Sequence, residues 1–430
     1  FGQNFDRVYY PKFSVSYIPI EGTAARIPYL NALKLRAAYG ESGKQPITFS
    51  ALQTYESATG PGDVPTVTQL TIGNPDLGPE RSKEIELGFD LGAFRDRFGA
   101  EVTYYHKRTL DAILDRTIAP SIGVPGTQPF NAGSIVNSGV ELLLRASPLT
   151  SDRLGWDMTF GYAVNRNKVE DLGTPESVLE LRRRTTCPTY VPGSPYPSTC
   201  APVADFVNAA SGSLPPRHQV GYPLGSYFNK RIVSAELTPA GTATNVMCDD
   251  GRGGSIACAS APFVFLGRTI PRIEGSFSNT FSLLRSLRLS ALVDFKRDYV
   301  KVDGSQRFRC VVNARCREWY YPQDYDPKLI ASLKAGTDVL PDGYINDASY
   351  TKLREVAIQY TLPQSFNRLG RFSRAVVGVA GRNLHTWTKY PGLDPEAFFL
   401  GGSRGGGFAL FDQTTNPQAT QWVLNLNLSW

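Results

Sequence analysis

Residues 423–430 read VLNLNLSW. Leu424, Leu426, Leu428 and Trp430 fall on one face of an extended chain, and Asn425, Asn427 and Ser429 on the other, because successive side chains of a strand point to opposite faces. A strand with one oily and one polar face suits a soluble sandwich as well as a membrane barrel. Which way the oily face looks has to be decided by the rest of the chain.

The same alternation recurs along the whole length. Leu33, Leu35, Ala37 and Tyr39 oppose Lys34 and Arg36; Ile85, Leu87, Phe89 and Leu91 oppose Glu84, Glu86 and Asp90. Phe98, Ala100, Val102 and Tyr104 oppose Glu101, Thr103 and Lys107, and Val140, Leu142 and Leu144 oppose Glu141 and Arg145, with Leu143 as an exception. Comparable spans begin at Lys12, Trp156, Arg272, Leu287, Arg354 and Arg374. With the final strand they make eleven spans, and no helical period of similar length competes. No stretch approaches the roughly 20 apolar residues of a membrane helix, which leaves a strand-built membrane protein open.

The connections separate the two possibilities. Short ones near 19–31, 93–97, 147–154, 284–286 and 363–373 alternate with long ones near 43–81, 115–136, 169–270, 297–349 and 389–418. A sandwich has no reason to gather its short turns at one end, whereas an outer-membrane barrel has tight periplasmic turns and long external loops. Aromatic residues collect toward strand ends, at Tyr9, Tyr17, Tyr39, Phe94, Phe98, Tyr104, Trp156, Trp387 and Trp430, where girdles meet the headgroups. The expected fold class is therefore all-β, an antiparallel transmembrane β-barrel with long extracellular loops. The last strand then descends to the periplasm. The extended-looking segment 221–233 would break the parity as a span and is assigned to the long external loop.

An open sheet edge in hydrocarbon is prohibitively costly, so eleven spans have to belong to a larger barrel. Their number fits the back half of a twenty-two-stranded one, whose size implies a plugged lumen and transport. The opening FGQNFDRVYY carries neither an initiator Met nor a signal peptide, and the chain reads as the C-terminal part of such a barrel, with the plug outside it.

Charge points away from nucleic acid. The 45 basic and 39 acidic residues are interspersed, for a net charge of +6, with no basic helix, finger or arginine-rich tail. Six cysteines allow fifteen pairings, yet they fall into local couples, Cys187 with Cys200, Cys248 with Cys258 and Cys310 with Cys316, each in a long connection. No CxxC is present, and His106, His218 and His385 are not spaced as zinc partners. Three loop-stapling disulfides in an oxidising compartment are favoured over free thiols.

Several stretches resemble a known family. GNPDLGPERSKEIELGFDLG (73–92) is similar to the signature of TonB-dependent outer-membrane receptors. NAGSIVNSGVELLLRASP (131–148), GYPLGSYF (221–228), YINDASYTKLREVAIQYTLP (344–363) and GRNLHTWTKYPGLDPE (381–396) resemble the SusC/RagA-type branch, in the family's order. The resemblance implies a twenty-two-stranded barrel around an N-terminal plug in the Gram-negative outer membrane. It also implies import of large nutrients, oligosaccharides or peptides, with a SusD-like lipoprotein as lid and energy from TonB–ExbB–ExbD. A siderophore or cobalamin receptor, or a non-transporting surface adhesin, is the alternative.

Catalysis is not indicated, and no cofactor is expected. GESGKQ (40–45) has Ala38 in place of the first P-loop glycine and Gln45 in place of the magnesium-binding Ser/Thr. GGSRGGG (401–407) has no strand–turn–helix context, and no GxSxG or HExxH occurs. In MCDDGRGGSIAC (247–258), where relatives can carry a calcium loop, only Asp249 and Asp250 are present and no acidic terminal ligand follows, so no metal site is assigned. One loop stands out: CREWYYPQDYD (316–326) sets Trp319, Tyr320, Tyr321 and Tyr325 among charges. Aromatic faces with nearby polar groups suit sugar rings or peptide side chains, and these four are the candidate substrate-binding residues. Trp430 is expected to serve the barrel assembly machinery as a terminal signal, besides anchoring in the outer-membrane lipid.

Overall fold

The structure is a computed structural model. It describes residues 8–21, 27, 29–46, 50–117, 127–174, 191, 206–208, 216–334, 342–365, 372–397, 411–412 and 415–429. Trp430, Cys187, Cys200 and the 401–407 stretch lie outside the described residues.

Eleven strands form one sheet in chain order: β1 Lys12–Glu21, β2 Leu30–Lys44, β3 Glu80–Ala93, β4 Phe98–Thr117, β5 Thr127–Thr150, β6 Leu154–Asp171, β7 Ile273–Leu283, β8 Leu287–Arg297, β9 Tyr350–Thr361, β10 Arg374–Thr388 and β11 Gln421–Ser429. Each pairs antiparallel with the next. Among the described residues the sheet is open, with β1 and β11 at its two edges. The all-β barrel class read from the alternation is what the chain adopts, and the eleven spans are the eleven strands. Segment 221–233 joins smaller sheets outside this one, as the parity argument required.

The two faces of the sheet differ as the period demands. Ile85, Leu87, Phe89, Tyr104, Val140, Phe277, Phe281, Ile358, Tyr360, Leu424 and Leu426 are exposed on the outer face, a surface no soluble monomer leaves bare. Register aligns them, Phe89 beside Val102 and Tyr104 beside Val140. The outer face turns polar toward the loop end. Beyond Tyr39 and Ile85, Glu41 is held by Arg81 and Lys83, and beyond Tyr104 stand His106 and Arg108, the latter 3.0 Å from Glu170. The oily part of β4 thus fits the 9–11 residues a tilted strand needs to cross hydrocarbon, and β4 and β5 continue past it.

At the other end the chain turns tightly. Phe94, Arg95 and Asp96 are left-handed in the β3–β4 turn, as are Leu284 and Arg285 between β7 and β8. At the loop end the GNPDLGPE turn docks on β5. Asn131 accepts from Gly78 N at 2.7 Å and donates back to Gly78 O, and Asn74 donates to Pro129 O. Gly133 sits at φ 52° against the backbone of Asp171, a place with room for no Cβ. These motif residues lock one loop to one strand end.

Candidate functional site

The inner face of the sheet carries cross-strand ion pairs: Arg36–Asp90 at 2.8 Å, Lys107–Glu84 at 3.7 Å, Arg145–Glu101 at 2.7 Å, Lys296–Glu274 at 3.5 Å and Arg382–Glu355 at 2.7 Å. All stay partly open to solvent, so each contributes little stability. Together they keep the lumen wall wet. A cavity of about 500 Å³ lies along strands β4 to β8, with Glu101, Glu141, Glu274, Asp294 and Lys296 on its walls.

A folded unit stands at the loop end, built from the connections between β6 and β7 and between β8 and β9. It has its own core, in which Tyr227, Val302, Cys310, Cys316, Ile330, Leu333 and Tyr344 are buried together. Disulfides join Cys248 to Cys258 and Cys310 to Cys316. The three-stranded sheet Ile232–Leu237, Ala243–Asp249 and Ser255–Ala257 packs by the helix Pro327–Lys334. The acidic pair weighed for calcium is occupied by its own turn: Asp250 accepts from the backbone of Arg252 and Gly254, and Asp249 from that of Gly251.

Two attachments tie this mouth module to the wall. The GYPLGSYF stretch hooks over the end of β6, where Val169 donates to Tyr222 O, Leu224 donates to Asn167 Oδ1, and Leu224 packs on buried Val169 and Leu172. The second is an ionic clamp. An extra residue in β9 opposite the Leu292–Val293 step forms a bulge, which re-aims Arg354. Arg354 reaches Asp294 Oδ2 at 2.8 Å and Glu396 Oε1 at 2.6 Å. Lys352, only 3% exposed, donates to Asp394 at 2.8 Å and Glu396 at 2.9 Å. Tyr350 adds a hydroxyl to Glu396. The GLDPE segment is thereby pinned to the inner wall. Burial alone would raise the Glu396 carboxyl, but hydrogen bonds from Arg354 and Lys352 outweigh it and hold it at about 2.

From the clamp the network passes into the module. Lys301 Nζ lies 3.3 Å from Pro395 O, and Tyr299 donates to the same carbonyl at 3.2 Å. Tyr390 donates to Asp412 Oδ2 at 2.8 Å. Burial lowers the Lys301 amine to about 8, against the attraction of Asp412 and Asp394. Burial, with Asp303 beside it, lifts the Asp412 carboxyl to about 6.

The candidate binding residues divide. Trp319, Tyr320 and Tyr321 are exposed, Tyr320 and Tyr321 to 65% and 61%, on the short helix Arg317–Tyr320 and the turn after it. Tyr325 instead packs against the module core. The clamp residues Lys352, Arg354, Asp394 and Glu396 were not singled out from sequence. Their signal was the break in alternation at KLRE and the charged tip of GLDPE.

Comparison with known proteins agrees with this architecture. A family model described as TonB dependent receptor-like, beta-barrel matches residues 1–232. TonB-dependent receptor P26 of Formosa agariphila is 26% identical, over 98% of this chain and 42% of its own length. TonB-dependent receptor SusC of Bacteroides thetaiotaomicron is 24% identical, over 93% of this chain and 38% of its own length. In fold, the chain superposes on the solved structure of the RagAB peptide transporter with a TM-score of 0.74 at 20% identity, covering 100% of this chain and 44% of that one. The chain thus spans less than half the length of the proteins it matches.

Proposed function

Because the chain belongs to the TonB-dependent receptor β-barrel family, we propose that it is the barrel portion of an outer-membrane importer of large nutrients, oligosaccharides or peptides. The wall has its oily face toward lipid and an ion-paired, wet face toward the lumen. The long connections near 43–81, 115–136, 169–270, 297–349 and 389–418 face outward, and the C-terminus faces the periplasm. Twenty-two strands close the barrel in the whole receptor, around a plug that contacts TonB–ExbB–ExbD. A SusD-like lipoprotein covers the mouth, and the terminal strand is read by the assembly machinery.

One observation carries this reading. A module with its own core is anchored to the lumen wall by a buried clamp, and it presents Trp319, Tyr320 and Tyr321 to solvent. Aromatic anchors exposed on a folded module that is tied to a wet wall suit capture of a large ligand. In the full-length receptor, Trp319→Ala with Tyr320→Ala is expected to cut energised nutrient uptake while surface abundance stays at wild-type level. Unchanged uptake at equal abundance refutes the capture role. Uptake that persists in cells lacking TonB refutes the importer reading itself.

A further inference from the structure

Several cations of the lumen wall face carboxylates across the strands, whereas at one tip of the mouth module two arginines have no such partner among the described residues. The sequence RFRCVVNARCREWYY (307–321) holds four arginines around the Cys310–Cys316 disulfide. Arg317 is matched, 3.1 Å from Asp324 and stacked over Tyr321 at 5.8 Å. Nearby Glu318 is buried and bonded to Gln306, and Asp326 pairs with Lys328. Arg309 and Arg315 are both exposed, and among the described residues neither has an ion-pair partner. Their backbones are held near one another: the Arg315 amide donates to the Arg309 carbonyl at 2.8 Å, and the disulfide holds the Cα atoms of Cys310 and Cys316 5.0 Å apart.

We propose that Arg309 and Arg315, with the exposed Trp319 and Tyr320 of the helix that follows the disulfide, form a subsite for acidic oligosaccharides, sugars bearing carboxylate or sulfate. This deepens the import reading and rests on it. A guanidinium is a planar fork that matches a carboxylate or sulfate with two parallel hydrogen bonds. An aromatic face takes the apolar side of a sugar ring, so exposed arginines and rings carried on one short cross-linked segment suit a chain that offers both charges and rings. An acidic peptide supplies the charge without the rings. The cross-linked turn fixes the backbone that carries the two forks before a ligand arrives, which reduces the ordering cost of binding. Keeping two like charges together with no counterion among the described residues leaves a local positive potential that a neutral sugar would not use.

The test uses detergent-solubilised full-length receptor. Probes are an oligogalacturonate, a sulfated galactan oligosaccharide, a neutral galactan oligosaccharide of equal length and hexaglutamate. Wild type is expected to bind at least one acidic sugar more tightly than the neutral one, with affinity falling as salt rises. Arg309→Gln with Arg315→Gln should weaken that binding by about tenfold or more, the scale of losing hydrogen bonds to a charged group, and leave neutral-sugar binding unchanged. Arg309→Lys with Arg315→Lys should keep the salt dependence and lose part of the affinity. The subsite is overturned if the Gln variant binds acidic sugars as wild type does, if neutral sugar is preferred, or if hexaglutamate is the tightest probe. Cell uptake separates the two readings. Arginine-dependent binding without TonB-dependent accumulation of the acidic sugar sinks the importer and keeps the subsite. TonB-dependent uptake of neutral sugar alone does the reverse.

Discussion

The barrel wall and the mouth module solve the problem of stability in opposite ways. The wall is a ladder of local pairings, with oily side chains turned out and exposed ion pairs turned in. Any one of its polar contacts can go at small cost, because water takes over. The module is small and closed. Its cohesion rests on a few buried aromatic and aliphatic residues, two described disulfides and charges taken out of water in the clamp. Removing one partner there strands the others in a low-dielectric setting. The same kind of residue, a lysine facing a carboxylate, should therefore matter greatly in one region and hardly at all in the other.

Lys352→Met is the sharpest way to break that comparison. Asp394 would lose its buried cation, and Glu396 would keep only Arg354. The cost to docking of the GLDPE segment should be about 3–5 kcal/mol. It should appear as fast hydrogen exchange across residues 389–397 in the full-length receptor, with barrel abundance unchanged. Lys296→Met removes a lumen-wall pair of 34% and 47% exposure and should cost less than about 1 kcal/mol. Equal effects of the two substitutions would show that the clamp is an ordinary surface pair.

Next in size is a contrast between adjacent residues of β9. Ile358 is 49% exposed on the outer face, while Gln359 lies on the inner face opposite Arg288 and Gly378. Ile358→Arg should destabilise the folded barrel by about 2–4 kcal/mol if that position sits near the bilayer midplane. Gln359→Arg, which sets a second cation opposite Arg288 on the wet face, should cost less than about 1 kcal/mol. Heat-modifiable migration and urea unfolding in liposomes measure both, and a silent Ile358→Arg would mean that the outer face does not meet hydrocarbon.

These two regions also differ in how far sequence reveals them. The wall could be read because period two is imposed at every position by the pleat and by lipid, so Ile85, Leu87 and Phe89 carry the same message as Leu424 and Leu426. The module has no period. Its burial is set by contacts between distant segments, such as Tyr227 with Val302 and Tyr344, and nothing local distinguishes Tyr325, which is packed, from Tyr321, which is exposed. The clamp stayed hidden for a related reason. Lys352 and Arg354 look like ordinary inward-facing charges until the bulge and the returning GLDPE segment bring partners to them.

The smallest effect expected is one of pH, and it again sets buried charge against solvated charge. His218 is buried in the module, with its pKa lowered to about 4 by loss of solvent. Its stability contribution is present above the ordinary imidazole value and falls away as pH drops from 6.5 toward 4. Glu396, held at about 2, contributes fully above its ordinary 4.5, and that contribution is lost only as pH falls from 4.5 toward 2. Asp412 has the opposite sign. Its pKa is raised to about 6, so its contribution is complete below 3.8 and is lost as pH rises through 6. The groups around it are Asp303, Lys301, Tyr390 and the Ser305 amide. Between pH 7 and pH 5, then, Asp412 offsets part of what His218 costs. Asp412→Asn keeps an acceptor for the Tyr390 hydroxyl and removes the titration. The module of that variant should lose more thermal stability than wild type on going from pH 7 to pH 5, as followed by near-ultraviolet circular dichroism of the full-length receptor. Identical pH profiles would mean that Asp412 does not titrate in that interval and that water reaches it.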